Sequence, residues 1–458
     1  MYYVSLSPAN LKWNIITQAE VSWFFQEERN PMNERDPTQA STLQRPTTDD
    51  TEAWKVYWKA QGQPWRTEPE IDNERQKILA ERHRITPDIE RGIYPFKDMR
   101  LSRADVEWLL ATHAVLGTVD WKDVLLREHE GIDVRGANLA HTDLSYLPLA
   151  LLRGGLNYRE WEHATEEQRN GAAVRLEGAD LKDASLKGAS LRGAHLEGAY
   201  LRWVQFEGAD LMCASLEGAY LRFALMEKAH LRDACLERAD LRGALFAGAY
   251  LDGIMICDVN CVGPLLADTQ WNDVNLSVVK WSEIKMLGDE HEARKQDKGK
   301  GRVPRLEGYE QAVRANRQLA IALQAQGLNE DAARFAYRAQ VMQRKVLWLQ
   351  RDFGHWLFSM LLALLSGYGY RIWRILAAYM VVVSLFAVAY FLLGLHYPPH
   401  LHLDQAYLES MTAFHGRVFL EQFGTNTPQI WLTAFEAITG LVIEGVFIAM
   451  LIQRFFGK

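Results

Sequence analysis

The chain has 458 residues, a net charge of −7, and 24% charged and 48% hydrophobic residues. With a mean hydropathy of −0.20, these averages exclude a many-span transporter, a collagen-like fibre and a mostly disordered chain. The length implies two to four domains, and a pI near 6.0 leaves no global basic footprint for nucleic acid.

The first residues, MYYVSLSPANLKWN, lack the basic-then-apolar pattern of a secretory signal. Residues 1–135 form a Trp-rich, charged region, expected to be partly helical. Residues 30–50 read as a polar loop or a disordered linker. Helices are predicted over 51–60, 72–84 and 103–113, the last capped by Ser102. This region carries no nucleotide loop and no catalytic constellation.

Residues 136–282 are the most regular part. From Val174 to Val278 a large apolar residue recurs every fifth position: Leu176, Leu181, Leu186, Leu191, Leu196, Leu201, Phe206. Ala stands two before it, as at Ala179 and Ala184. Neither a helical nor a strand period fits, and a fixed short period, about 21 copies here, marks a solenoid. An earlier fragment, Ala137-Asn138-Leu139 and Thr142-Asp143-Leu144, is separated from it by an expected insertion at 147–173, with a short helix near 161–169. The pattern decays through Ile256, Cys261, Trp271 and Leu276, as at a capped end.

These A(D/N)LXX units resemble the pentapeptide-repeat family. The resemblance implies a right-handed quadrilateral β-helix with four repeats per coil. About five coils at about 4.8 Å each make a rod about 25 Å long. After each core residue the charge alternates: Glu197, Arg202, Glu207, Met212, Glu217, Arg222, Glu227, Arg232, Glu237, Arg242. A 20-residue coil stacks Glu197, Glu217 and Glu237 in one column and Arg202, Arg222 and Arg242 in the next. Two readings stand: a solvated surface, or a docking surface for another subunit or protein. Some relatives imitate DNA. Here 11 basic residues stand against 15 acidic ones from Val174 to Trp281, and basic columns would repel a DNA-binding groove; no nucleic-acid partner is expected. Cys213, Cys235, Cys257 and Cys261 lack zinc-type spacing and read as packed thiols.

Residues 283–305 read as a polar linker, and 306–352 as a helical hairpin of tetratricopeptide type. Residues 353–374 are an expected interfacial helix and a turn, the turn holding Gly367-Tyr368-Gly369-Tyr370.

Residues 375–458 are expected to supply two transmembrane helices and a re-entrant loop. The run 375–395 carries no charge and at about 1.5 Å per residue spans about 31 Å, a bilayer core. A second run covers 430–453. Arg371, Arg374, Arg454 and Lys458 flank the pair, which places both ends in the cytoplasm by the positive-inside rule. Between the runs, residues 403–414 (LDQAYLESMTAF) have a short helical pattern followed by HGRVF. The layout resembles the two-span, pore-loop channels of the potassium-channel superfamily, and the whole chain resembles bacterial pentapeptide-repeat ion-channel proteins. The resemblance implies a homotetramer, with Thr412, Ala413, Phe414, His415, Gly416 and Arg417 as the pore loop. It places Glu436, Gly440, Glu444 and Gly445 on the inner helix as lining or hinge. A potassium filter needs backbone carbonyls from TVGYG-like loops, and TAFHGRVF departs from that pattern. Rings of Glu436 and Glu444 favour cations, because acids inside a span face a cavity or a partner. A ring of Arg417 favours anions, unless Glu409 or Glu421 neutralises it. His400 and His402 are weak metal candidates among the loop histidines. No cofactor and no enzymatic activity are expected.

The expectation is a multi-pass protein of the bacterial cytoplasmic membrane, both termini cytoplasmic, that conducts ions, mainly cations. Its partners are its own copies, membrane lipid, inorganic ions and possible proteins on the charged rod. The alternative is a membrane-anchored scaffold without conduction.

Overall fold

The computed structural model describes residues 44–47, 50–113, 131–259, 261–296, 301–365, 372–396, 401–417 and 428–456. Residues 367–370, with the Gly-Tyr-Gly-Tyr turn, lie outside them, as do His400 and Glu421. The chain falls into two compact units, residues 1–69 and 70–458.

In the first unit, α1 (Thr51–Ala60) starts at Asp50, whose side chain accepts from the Glu52 N–H. Its buried face carries Trp54 and Trp58. The Trp58 indole donates to the Glu68 carbonyl at 2.9 Å, and Arg66 lies 3.5 Å over the ring.

The second unit begins with α2 (Asn73–His83) and α3 (Arg103–Thr112). Ser102 and Asp105 form a capping box at the start of α3. From there the backbone winds as a four-sided coil whose rungs are parallel bridges. One column runs Arg175, His195, Ser215, Cys235, Met255, and the next Asp180, Tyr200, Tyr220, Asp240. The 20-residue coil is therefore real, with one pentapeptide on each side. Leucines fill the axis, and Leu181, Leu186, Leu191, Leu196 and Leu201 are fully buried. Each such side chain is worth about 1.5–3 kcal/mol on burial. The alanines are buried too, so each side approaches the next without obstruction.

Each corner is a tight turn. At Leu181–Ala184 the Ala184 N–H donates to the Leu181 carbonyl at 3.1 Å. The third residue of such turns is left-handed: glycine at 178, 188, 193 and 198, but Asp183, Trp203, Cys213 and Phe223 elsewhere. Glycine is free there, whereas other residues carry a conformational cost.

Three boundaries differ from the sequence expectation. The first concerns the base of the rod, which is not confined to residues beyond 135. Arg100 bridges Asn138, and Asp133 bridges Arg153. The core there is closed by Phe96 and Leu101, so part of the N-terminal region is the first coil. This segment lacks the five-residue period, which hid it. The second concerns the insertion. Pro148 and Arg153 bridge Ser185 and Ser190, so the coil continues past 147. The excursion is α4 (Tyr158–His163) and α5 (Glu166–Ala172), each opened by a capping box. Leu147, Leu149 and Leu152 already belong to the core. Near the other end, Asp240 bridges Leu265, a 25-residue step that accommodates the decayed repeats.

The third correction is the linker. Its middle forms α6 (Gly288–Gln296), with Asp289, Glu290 and Ala293 buried. The hairpin is α7 (Arg302–Ala325) and α8 (Asn329–Gln350). Ala293 joins Tyr309, Ala312, Val313, Met342 and Val346 in one core, so three helices pack rather than two. A charged surface composition concealed a helix held by specific polar bonds. Rod and hairpin are joined directly, since Arg334 donates to the Trp281 and Ser282 carbonyls and Gln326 donates to the Val274 carbonyl.

The chain continues through α9 (Phe353–Leu365), α10 (Ile372–Gly394), α11 (Leu403–Phe414) and α12 (Pro428–Phe456). Among the described residues one helix is long and apolar enough to cross a membrane: 19 residues, Leu376–Gly394, of mean hydropathy 2.4. The second expected span is a helix of 29 residues that carries Glu436 and Glu444.

Candidate functional site

The expected loop residues lie where α11 packs against both α10 and α12. Phe414, at the end of α11, is buried with Val383 of α10 and Ile443 of α12. Tyr379 meets it edge-on at 4.8 Å. Ala413 is buried beside it, and the Thr412 hydroxyl turns back to the Leu408 and Glu409 carbonyls.

Beyond Phe414 the helix is stopped by a turn. The Gly416 N–H donates to the Ala413 carbonyl and the Arg417 N–H to that of Thr412. Gly416 is left-handed, with φ +70°. Arg417 is exposed, and among the described residues its guanidinium has no acidic partner; Glu409 does not brace it.

His415 reaches α12. Its Nδ1 lies 2.5 Å from a carboxylate oxygen of Glu444, and its Nε2 lies 3.5 Å from the Tyr379 hydroxyl. Both partners are half-exposed, at 46% and 41% of the side chain. They border a cavity of about 390 Å³ with Leu376, Phe447 and Ile448.

Glu436 takes a different place from the one expected. It is fully buried inside the chain, where the Ser410 hydroxyl donates to its carboxylate. Tyr390 and Thr433 complete this polar cluster through a 3.0 Å hydrogen bond. Burial favours paired polar groups; Ser410 of α11 satisfies one carboxylate oxygen, while the other has no hydrogen-bond partner among the described residues, so Glu436 is packed inside the chain and is not an open-surface acid. Gly440 is buried against the Phe414 backbone, a contact helix and not an open lining position. Gly445, in contrast, has open space around it. His402 is exposed at the start of α11, its N–H donating to Gln405. Among the described residues no group of three or more His, Cys, Asp and Glu side chains fits a metal.

Several polar groups were invisible at the sequence level. Asp289 accepts from the Leu266 and Ala267 N–H groups at 2.6 and 3.4 Å and caps the last coil. Glu290 accepts from Arg294 and Arg338 at 2.5 and 2.8 Å. The acidic pair directly after Gly288, with Arg294 a turn later, is a helix-start signal that the polar composition masked.

On the rod, the columns are as expected. The Gly198 N–H donates to the Glu217 carbonyl and the Gly218 N–H to that of Glu237, which stacks the three glutamates Glu197, Glu217 and Glu237. The Trp203 and Phe223 N–H groups do the same to Arg222 and Arg242. Aromatic residues stack beside the arginines: Tyr200 on Tyr220 at 5.1 Å and Trp203 on Phe223 at 4.4 Å.

A four-sided parallel coil with Leu axis and Ala corners defines a β-helical solenoid. The family model described as pentapeptide repeats matches it in 8 copies, over residues 175–211 and 209–248; this part of the chain is a run of pentapeptide repeats. Among solved structures, the chain is similar to a pentapeptide repeat protein (Rfr23) from the cyanobacterium Cyanothece 51142, at 23% identity over 30% of this chain and 82% of that one, TM-score 0.13. It is also similar to QnrB1, a plasmid-mediated fluoroquinolone resistance protein, at 20% identity over 35% and 82%, TM-score 0.13. A third is HetL from the cyanobacterium Nostoc, described as involved in heterocyst differentiation regulation, at 25% identity over 30% and 71%, TM-score 0.12. No curated protein matches the chain.

Proposed function

We propose that this protein is a tetrameric ion channel of the bacterial cytoplasmic membrane, cation-conducting, with its pentapeptide-repeat rod and helical hairpin on the cytoplasmic side. The observation that carries the reading is α11. A membrane anchor needs only a polar turn between two helices, yet here a twelve-residue helix is wedged against both, its end sealed by Phe414. The exposed faces of α10 and α12 support a lipid or subunit environment. They carry Met380, Val381, Leu385 and Leu392, and Phe435, Ile438, Leu441 and Ile448 as exposed large hydrophobics, and clustered exposed apolar residues mark an interaction surface.

In this reading Glu444 is the acidic ring that favours cations, and His415 sets its position. Arg417, which has no acidic partner among the described residues, opposes it. The loop lacks the TVGYG carbonyl series, so selectivity for potassium over sodium is not expected. The second reading, a non-conducting scaffold, is favoured by one observation, the uniform charged columns on the rod.

Purified protein reconstituted in planar bilayers tests the choice. Wild type is expected to carry current, Glu444→Gln to shift permeability toward anions, and Arg417→Glu toward cations. Absence of current under all conditions, with a monomeric or dimeric mass in detergent, sinks the channel reading. Unchanged selectivity in both variants removes these residues from the path.

A further inference from the structure

Each side of the rod ends in its corner turn, and at two adjacent ones the turn residues carry opposite charge at matched height. One side has Glu177, Glu197, Glu217 and Glu237 after its core leucines, and the next has Lys182, Arg202, Arg222 and Arg242. No other side is uniform. The third mixes Lys187 with Glu207, already paired to each other at 3.1 Å. The fourth is interrupted by Met212, and there Tyr158 and Trp161 of α4 lie against Arg192 and Gly193.

Stacking like charges at about 4.8 Å is unfavourable unless an opposing column compensates. Arg175, His195, Asp183 and Asp240 already face Glu177, Glu197, Lys182 and Arg242, so the middle of the columns carries the uncompensated charge: among the described residues, Glu217, Glu237, Arg202 and Arg222 make no ion pair. Shape matches as well as charge. The cationic side is ridged by Trp203 and Phe223 and by Tyr200 and Tyr220, two of them about half-exposed. The acidic side is flat at the equivalent positions, Gly198 and Gly218, with open space beyond each.

We infer that the acidic side of one rod docks on the cationic side of a second copy of this chain, and that four copies close into a ring. The contact is heterologous, since the two surfaces differ. Such a contact closes only if its rotation divides a full turn. Neighbouring sides of a four-sided coil face about 90° apart, so joining one to the other between parallel rods turns each copy by about a quarter turn and closes at four. Arg222 then lies opposite the partner copy's acidic column at the height of Glu217, and the aromatic ridge fills the glycine-lined strip. This ring stands whether or not the membrane part conducts.

The test uses the full-length chain in detergent with its four cysteines replaced by serine. Two differently tagged forms, Glu217→Cys and Arg222→Cys, are co-expressed and treated with a short bis-maleimide. Cross-links are expected between unlike tags, with each form alone giving at least about tenfold less. Charge reversal by Arg222→Glu is expected to lower cross-linking at a second pair, Glu197→Cys with Arg202→Cys, and adding Glu217→Arg to restore it. Rescue separates loss of the contact from loss of the fold. A cross-link of Glu217→Cys to itself, or none between unlike tags, overturns the ring. A tetrameric mass without rod cross-links overturns it while leaving the channel in place; cross-linked rods without current do the reverse.

Discussion

Phe414 and Gly440 meet backbone to backbone: a Cβ built on residue 440 would stand 1.9 Å from the Phe414 carbonyl oxygen. That atom cannot yield, because it is main chain at the end of a packed helix. Gly440→Ala is therefore expected to dislodge α11 and cost about 1–3 kcal/mol or more. Gly445→Ala, with nothing within 4 Å, is the matched control. Thermal unfolding in detergent measures both, and equal melting temperatures would falsify the close approach.

Asp289 gives the rod a pH dependence. Burial pushes its carboxyl up to about 7, against the pull of the Leu266 and Ala267 N–H groups and Arg242. An unfolded aspartate titrates near 3.9. Between about pH 4 and 7 the folded state therefore holds a proton that the unfolded state releases, and stability falls as pH rises through this window, then levels off. The slope is at most about 1.4 kcal/mol per pH unit. Asp289→Asn is expected to flatten it, as followed by circular dichroism of the full chain. A wild-type profile as flat as that of the variant contradicts the assignment.

Glu290 depends on its arginines. Its side chain is 1% exposed, while Arg338 is 24% exposed. Arg338→Ala leaves a buried carboxylate with Arg294 alone and is expected to cost about 3 kcal/mol. Glu290→Gln in the same background should recover part of that loss. A double-mutant cycle with coupling under about 0.5 kcal/mol would show that the pair does not hold α6 to α8.

Left-handed corners predict a pair of opposite effects. Lys228 has φ +56° and is largely exposed, so Lys228→Gly is expected to stabilise the rod by up to about 1 kcal/mol. Gly218 has φ +64° with open space around it, and Gly218→Ala is expected to cost about 1–2 kcal/mol from backbone strain alone. Chemical denaturation reads both, and shifts of the same sign would refute the corner geometry.

The rod was legible because its signal is periodic. Leu176 to Leu221 announce the axis, and the resemblance to pentapeptide repeats, with four repeats to a coil, implies the 20-residue columns. Arg100 was not legible, because a single bridge to Asn138 leaves no period. Nor was α6, whose polar residues are satisfied by partners far along the chain, such as Arg338 for Glu290 and Leu266 for Asp289. In the last hundred residues, the sequence located α11 and marked His415, Glu436 and Glu444 as the unusual groups. Which of the two acids is buried depends on Ser410 rising from a separate helix, a relation that spacing does not encode.

Both ends of the coil are stoppered by side chains. Below, the Arg103 guanidinium donates to the Asp143 and Ser145 carbonyls; above, Asp289, Gln318 and Gln326 take up the Leu266, Ala267, Asp268 and Leu276 N–H groups. A bare rung is a template for strand addition, and a solenoid with bare rungs polymerises end to end. With these end groups taken up, strand addition at either end of the coil is opposed, and the flanks are the surfaces left for other molecules.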